Sequence, residues 1–478
     1  MALDSNLVNP WLGAAAALVL VVAADRVWQR NQTKWTHEPP MLPYTIPFVG
    51  HAFSFSKSAQ SLIRVAAKTF PGHQPYSLLL FGKRVYIFTS PKDANFIYRK
   101  SKALAFLPLV ESLVGPAWGI TQDGLDRLGD VDADGDSLFR NAHNFYRDSL
   151  KEGPQLDGLT LNFVKYVRAG LDDWFAKAGG EVKEVNLRTW SRALLGAAST
   201  NAVMGPSIIR NHPEFLSWVW AVERGFFFFV NRIPRFLAKK QYDARDNAMN
   251  AIAEYLEDES NRKDGAPMIW DRNDQMISKG MQLSDRARYS YSAYAALQTN
   301  SVPNSSALLW HLFNDRKLLR RVREEIAPVF KGEPYITTLE QVAELQQTCP
   351  LLRACFDETL RLYSPAASNR RVVEEIVVNG YTLKAGRHVI LPAFAHHQSE
   401  VFGERPAGFR PDRFLPGGGA DAKQVRAFGG GTSMCSGRYF ASNEVLSYAA
   451  AVVWRCDVEM LKDGMVRISE RKIDLTTA

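Results

Sequence analysis

Ten residues near the end of the chain constrain it more than any others: Phe428-Gly429-Gly430-Gly431-Thr432-Ser433-Met434-Cys435-Ser436-Gly437. Glycine takes backbone conformations that a Cβ forbids, and it lets the main chain come close to a flat group. An apolar stretch with helical spacing follows directly. The loop therefore presents one cysteine just before a helix N-terminus. Amide N–H groups and the helix dipole favour a thiolate there. An isolated cysteine is ordinarily a small buried hydrophobe, and the surrounding pattern sets Cys435 apart.

That pattern is Phe-x-x-Gly-x-x-x-Cys-x-Gly, and it resembles the haem-binding loop of the cytochrome P450 superfamily. Three further matches stand upstream in the expected order. Glu358-Thr359-Leu360-Arg361 resembles the family's Glu-x-x-Arg. Phe409-Arg410-Pro411-Asp412-Arg413-Phe414 resembles its Pro-Glu-Arg-Phe segment, with Asp in place of Glu. His396 to Phe402 resembles the stretch between them. Each motif is weak singly; together, in order and at family spacing, they are specific. They cover the last third of the chain.

The resemblance implies a mainly α fold with a minor β-sheet and haem b as cofactor. Cys435 would be the axial ligand of the haem iron, pushing electron density toward O–O cleavage. Phe428 would pack beside the sulfur and limit water. Gly431 and Gly437 would permit the tight loop. Ser433 stands where relatives usually place an Arg or His for a haem propionate. Arg370, with Arg371 beside it, is the expected replacement, because a guanidinium forks onto a carboxylate. Glu358 and Arg361, spaced i, i+3 on a helix, can meet. With Arg413 they would form a buried network supporting the loop, which is a structural role.

The distal helix departs most from the family. Its segment reads Ala295-Ala296-Leu297-Gln298-Thr299-Asn300-Ser301-Val302-Pro303-Asn304-Ser305. The acid of the usual acid–threonine pair is absent, and Thr299 and Asn300 stand in its place. Pro303 removes a helical hydrogen bond and is expected to kink the helix. Asn-x-x-Pro, with no Arg or His before the ligand loop, resembles the cholesterol 7α-hydroxylase and prostacyclin synthase branch. Sterol hydroxylases of that branch use dioxygen and NADPH through a reductase; prostacyclin synthase rearranges an endoperoxide and needs neither.

The 478 residues are 46% hydrophobic, enough for a large core. No linker, repeat or low-complexity tract divides them. The four cysteines, Cys349, Cys355, Cys435 and Cys456, form no CxxC or zinc spacing, which fits a reducing, cytosol-facing domain. The formal charge of +8 is compatible with anionic lipid and an acidic electron donor. No basic run interleaved with aromatics points to nucleic acid.

Pro10 through Ala24 is continuously apolar apart from glycine, no Lys or Arg precedes it, and Arg26, Arg30 and Lys34 follow. This predicts an uncleaved single-pass transmembrane anchor at residues 1–30, with the rest of the chain on the cytosolic side of the endoplasmic reticulum. A stiff, proline-rich hinge is expected over 31–50, and one catalytic domain over 51–478.

Tyr76–Phe81 and Arg84–Thr89 around Gly82-Lys83 read as a β-hairpin, and Gly380–Leu391 reads as a second. Residues 137–339 read as mostly helical, with a charged amphipathic helix over 315–326. Phe226-Phe227-Phe228-Phe229 cannot all face one side of a helix. It is either a buried core helix or a mobile roof element beside Arg232, Arg235, Lys239 and Lys240.

The expected function is a membrane-anchored haem-thiolate monooxygenase acting on a lipophilic substrate such as a sterol, terpenoid or other secondary metabolite. NADPH–cytochrome P450 reductase would be its electron-donating partner. The alternatives are a haem-thiolate isomerase or dehydratase acting on a peroxide, and a non-catalytic lipid- or haem-binding membrane protein.

Overall fold

The computed structural model describes residues 10–364 and 367–471. Its strands, in chain order, are β1 Tyr76–Leu80, β2 Lys83–Ile87, β3 Leu104–Ala105, β4 Lys183–Asn186, β5 Ala367–Val372, β6 Ile376–Val378, β7 Tyr381–Leu383, β8 His388–Pro392, β9 Cys456–Met460 and β10 Met465–Glu470. The rest of the regular structure is helical, as the motifs imply. The chain falls into two compact units. The first comprises Met1–Leu109, Pro365–His396 and Gly430–Thr432; the second comprises Val110–Ser364, His397–Gly429 and Ser433–Ala478.

In the first unit, helix α1 spans Pro10–Thr36. Its apolar residues Leu18 to Val21 are 55–69% exposed. Its second half turns polar: Tyr44 donates its hydroxyl to Asp25 at 2.6 Å, and Asp25 accepts from Gln29 at 2.6 Å. Among the described residues no helix is long and apolar enough to cross a membrane, so the expected single-pass span finds no support among them. The uninterrupted apolar run from Pro10 to Ala24 rises only ~22 Å against a hydrocarbon core of ~30 Å. The flanking Leu7-Val8 lies outside the described residues.

The proline-rich segment does not hang free. Ser77 donates its backbone N–H to the Pro40 carbonyl at 2.7 Å and its hydroxyl to the Pro39 carbonyl at 2.8 Å. Buried Glu38 pairs with Arg84 at 3.0 Å. Prolines supply acceptors without needing donors, so this extended stretch lines an edge at no cost in unpaired N–H groups.

The main sheet runs β1-β2-β8-β5-β3. β1 and β2 form the expected antiparallel hairpin, and β2 runs parallel to β8. The second expected hairpin is corrected: β7 pairs with β6, while β8 pairs with β2 and β5. Alternation of apolar residues fixes which face of a strand is buried and says nothing of its partner.

The second unit contains β4-β10-β9 and the helices that position the site. These are α2 Leu187–Met204, α3 Phe215–Val230, α4 Leu283–Asn314, α5 Arg316–Phe330, α6 Pro350–Tyr363 and α7 Arg438–Arg455. α4 and α7 lie at the centre of one large core, with Tyr291, Tyr294, Leu308, Leu309, Tyr448 and Val452 at 1% exposure or less. Asp315 caps α5, accepting from the N–H groups of Lys317 and Leu318. The four phenylalanines divide. Phe229 is buried in α3 against Tyr242, while Phe226 is 41% exposed with Trp118 5.8 Å away. Just beyond, Phe236 and Leu237 are 80% and 64% exposed.

Candidate active site

α6 starts at Pro350, which needs no N–H partner. The next two N–H groups, of Leu351 and Leu352, donate to the carboxylate of Glu325 at 2.8 and 2.9 Å. The helix so fixed carries Glu358 and Arg361 one turn apart, both fully buried. Arg361 clamps Glu358 with two bonds, Nε at 2.7 Å and Nη2 at 2.8 Å. Its remaining donors reach the carbonyls of His397 and Pro406, each at 2.6 Å. Glu358 also accepts from the Arg410 N–H at 2.7 Å and from Arg413 Nε at 3.1 Å. Arg413 in turn donates to the Phe402 carbonyl. The expected three-residue network is thus present, and it pins the 397–414 segment to α6.

Two histidines, His397 from the matched 396–402 stretch and His311, which the sequence did not single out, complete this support. His397 Nε2 accepts from the Arg426 N–H at 2.8 Å, which fixes its other ring nitrogen as the protonated one. His311 of α4 stacks on Phe409 with centroids 3.7 Å apart and meets the Tyr363 hydroxyl at 2.7 Å. Burial pushes the His311 imidazole down to about 4, with Glu358 pulling the other way, so it packs as a neutral ring.

From Arg426 the chain enters the cysteine loop. The Cys435 N–H donates to the Phe428 carbonyl at 2.9 Å, which closes the loop and places both residues together. Arg438, the first residue of α7, donates to the Cys435 carbonyl at 3.0 Å. Cys435 is exposed, whereas Cys349, Cys355 and Cys456 are buried. Desolvation against the loop raises the Cys435 thiol, while the Gly437 N–H and the Arg438 charge pull it down. The polypeptide alone thus leaves the sulfur protonated, and a bound metal ion would complete its ionisation.

Gly437 has φ −84° and ψ 9°, which any residue adopts. Its role is therefore not the backbone freedom expected. A methyl group there would lie 3.5 Å from Leu297 of α4 and 4.0 Å from Cys435 Sγ. Gly437 keeps clear the narrow space between the sulfur and α4.

On α4, Ala296 and Asn300 are exposed and Leu297, Thr299 and Pro303 half-buried, between flanks that are buried. Thr299 and Asn300 thus both lie on this strip. Thr299 donates its hydroxyl to the Ala295 carbonyl at 2.9 Å, leaving oxygen lone pairs directed off the helix. The side chain of Asn304 donates to the Asn300 carbonyl at 2.8 Å. α4 runs unbroken through Pro303; the proline removes one backbone bond, the N–H partner of the Thr299 carbonyl.

Arg370 and Gly431 belong to the first unit. Arg370 is buried on β5, its guanidinium 5.5 Å from the Tyr98 ring and 5.6 Å from that of Phe106. Gly431 has φ +67° and packs on the Tyr98 carbonyl, so its conformation does require glycine. A groove of about 1420 Å³ lies elsewhere in the second unit, along α5, β9 and β10.

The donor set fits a haem: one accessible cysteine in a glycine loop, an unsubstituted Cα beside its sulfur, and a small-residue strip on the facing helix. The cytochrome P450 family pattern matches residues 165–477. The chain is 27% identical over 467 residues to cytochrome P450 monooxygenase poxD of Penicillium oxalicum, covering 95% of this chain and 93% of the relative. It is 23% identical over 502 residues to mouse cytochrome P450 7B1, covering 97% and 93%. The solved structure of retinoic acid-bound cyanobacterial CYP120A1 superposes with a TM-score of 0.73 at 18% identity, over 91% of this chain and 99% of that one. The chain belongs to the cytochrome P450 family. It is an enzyme of the haem-thiolate monooxygenase class.

Proposed function

We propose that this enzyme inserts one oxygen atom of dioxygen into a bulky lipophilic substrate, a sterol, terpenoid or other secondary metabolite, with electrons from NADPH through a P450 reductase. Haem, held by Cys435, supplies the oxygen activation. The chain's own residues do the rest. Phe428 shields the sulfur, Gly437 leaves room beside it, and the Glu358–Arg361–Arg413 network holds the loop's approach. Thr299 and Asn300 present the only polar side chains of the exposed α4 strip, where a substrate or a water can be oriented. The observation that carries this reading is the approach of the Cys435 loop to that strip at Gly437 and Leu297.

We also infer that the chain works at the endoplasmic reticulum membrane, facing the cytosol. The support is the exposed apolar half of α1 and the exposed Phe236 and Leu237 beside basic residues. In membranes from a host expressing the full chain, it should sediment with microsomes.

The test is reconstitution with NADPH, reductase and labelled dioxygen over a panel of lipophilic compounds. The reading requires NADPH-dependent product carrying one labelled oxygen. The missing acid on α4 favours a second reading, isomerisation or dehydration of a peroxide. Turnover of a hydroperoxide without NADPH or reductase, and no labelled product, would establish that one instead.

A further inference from the structure

The charged helix α5 carries more basic residues than the fold uses. Arg316, Arg320 and Arg323 follow at i, i+4 and i+7, so they share one stripe of the helix. The half-buried Leu319 and Ala327 lie beside them. This stripe forms one wall of the groove of about 1420 Å³, and β9, β10, Trp454 and Arg471 form the other. The volume exceeds the ~300–1,000 Å³ of an ordinary small-ligand site.

The charges lining the groove do not cancel. Arg323 pairs with Asp457 at 3.0 Å, Arg467 with Glu184 at 2.8 Å and Glu459 at 3.2 Å, and Lys331 with Glu344 at 3.1 Å. Arg316, Arg320 and Arg471 also line the groove and form no ion pair among the described residues. Glu324 is the one lining acid that is likewise unpaired among them. Three guanidinium groups against one carboxylate leave an excess of two positive charges.

The end of α7 holds two of the lining arginines in place. The last carbonyls of a helix have no partner within it. Arg323 donates to those of Val453 at 3.0 Å and Cys456 at 2.7 Å, and Arg471 to that of Trp454 at 3.3 Å. The Arg471 guanidinium also lies 4.9 Å from the Trp454 ring. Nη1 of Arg323 and Nη2 of Arg471 keep their donors unused among the described residues. Burial and the charge of Arg323 both pull the Arg471 pKa down, and Asp457 opposes them. An added anion would relieve that repulsion.

We propose that this groove binds a water-soluble organic phosphate, its phosphoryl group on Arg320, Arg323 and Arg471 and its apolar body along Leu319, Ala327 and Val458. A phosphate ester carries ~1.5–2 negative charges at neutral pH and three acceptor oxygens, which matches the excess; one carboxylate cancels half of it. Guanidinium forks fit phosphate oxygens. A bare inorganic anion would leave most of the groove unfilled, so the ligand has an organic part. The groove contains neither Cys435 nor the α4 strip, and the proposal stands apart from the monooxygenase reading.

The test titrates the full-length, haem-loaded enzyme with 1-naphthyl phosphate in low salt by isothermal titration calorimetry. The compound should saturate about one site per chain without shifting the haem absorbance, and inorganic pyrophosphate should compete for it. Arg320→Gln removes a side chain with no hydrogen bond in the fold, so its urea midpoint should match the parent. It should weaken binding about tenfold or more, as should Arg471→Gln. Absence of saturable binding, or parental affinity in both variants, overturns the proposal. Sedimentation with phosphatidylcholine vesicles containing phosphatidic acid, lost in Arg320→Gln while naphthyl phosphate does not bind, overturns it in favour of a lipid surface. Loss of reductase-dependent NADPH consumption in Arg320→Gln, again without phosphate binding, overturns it in favour of an acidic protein partner.

Discussion

Replacing Glu358 by Gln tests how far the proximal loop depends on one buried charge. The carboxylate accepts four hydrogen bonds: three at Oε1, from Arg361 Nη2, Arg410 N and Arg413 Nε, and one at Oε2, from Arg361 Nε. Glutamine in its better orientation keeps its oxygen at the Oε1 position. Its amide then points at Arg361 Nε, donor against donor. One charge-assisted bond is worth about 1.5–3 kcal/mol. Leaving two buried guanidinium groups without their counter-charge brings the total to about 3–5 kcal/mol, the usual cost of breaking a buried ion pair. That is a large part of a typical folding stability of ~5–15 kcal/mol. The damage should spread along the carbonyls the two arginines hold, at Phe402, His397 and Pro406, and so to the segment leading into the cysteine loop. Urea unfolding read by circular dichroism, together with haem content after purification, measures both effects. A variant within about 0.5 kcal/mol of the parent and fully loaded with haem would refute the reasoning.

Two further outcomes follow from the same geometry. Gly431→Ala meets a positive φ and a backbone oxygen 3.0 Å from the new methyl, and should destabilise the apo-protein by about 1–2 kcal/mol. Gly437→Ala meets only ordinary contacts and should leave the apo-protein unchanged in urea while lowering haem retention, because the methyl sits 4.0 Å from the sulfur. Glu444 gives a pH signature. Its folded value of about 7 lies above its ordinary 4.5, so the folded state holds a proton that the unfolded state has released between those values. Its contribution is complete below about pH 4.5 and is lost as pH rises to 7, up to about 3 kcal/mol at ~1.4 kcal/mol per unit. Glu444→Gln should flatten that slope in a series of urea midpoints.

The parts of this site that were legible in the sequence are those built by local spacing. Glu358 and Arg361 meet because a helix puts i and i+3 together, and Cys435 meets Phe428 because a glycine loop must close on itself. The β1–β2 hairpin was readable for the same reason. What was not legible depends on partners distant in sequence. The strand pair of β8 is chosen by β2, about 300 residues away, so an alternating pattern could not reveal it. Glu444 looked like one charge among many, although a lone carboxylate inside the apolar run of α7 was a usable signal. Backbone freedom is not what Gly437 supplies: its backbone is ordinary, and the constraint is the space beside the sulfur. At the N-terminus hydropathy reports that a stretch is apolar. It does not report that Asp25 and Arg26, just beyond the apolar run, bond to Tyr44 and Thr45.

The central claim is that Cys435, as thiolate, is the axial ligand of a haem. The reduced-CO difference spectrum of the purified enzyme and of Cys435→Ala tests it most directly. The parent should show the long-wavelength band of a thiolate-bound haem, and the variant should lose it while its far-ultraviolet circular dichroism stays helical. Persistence of that band in Cys435→Ala would contradict the assignment.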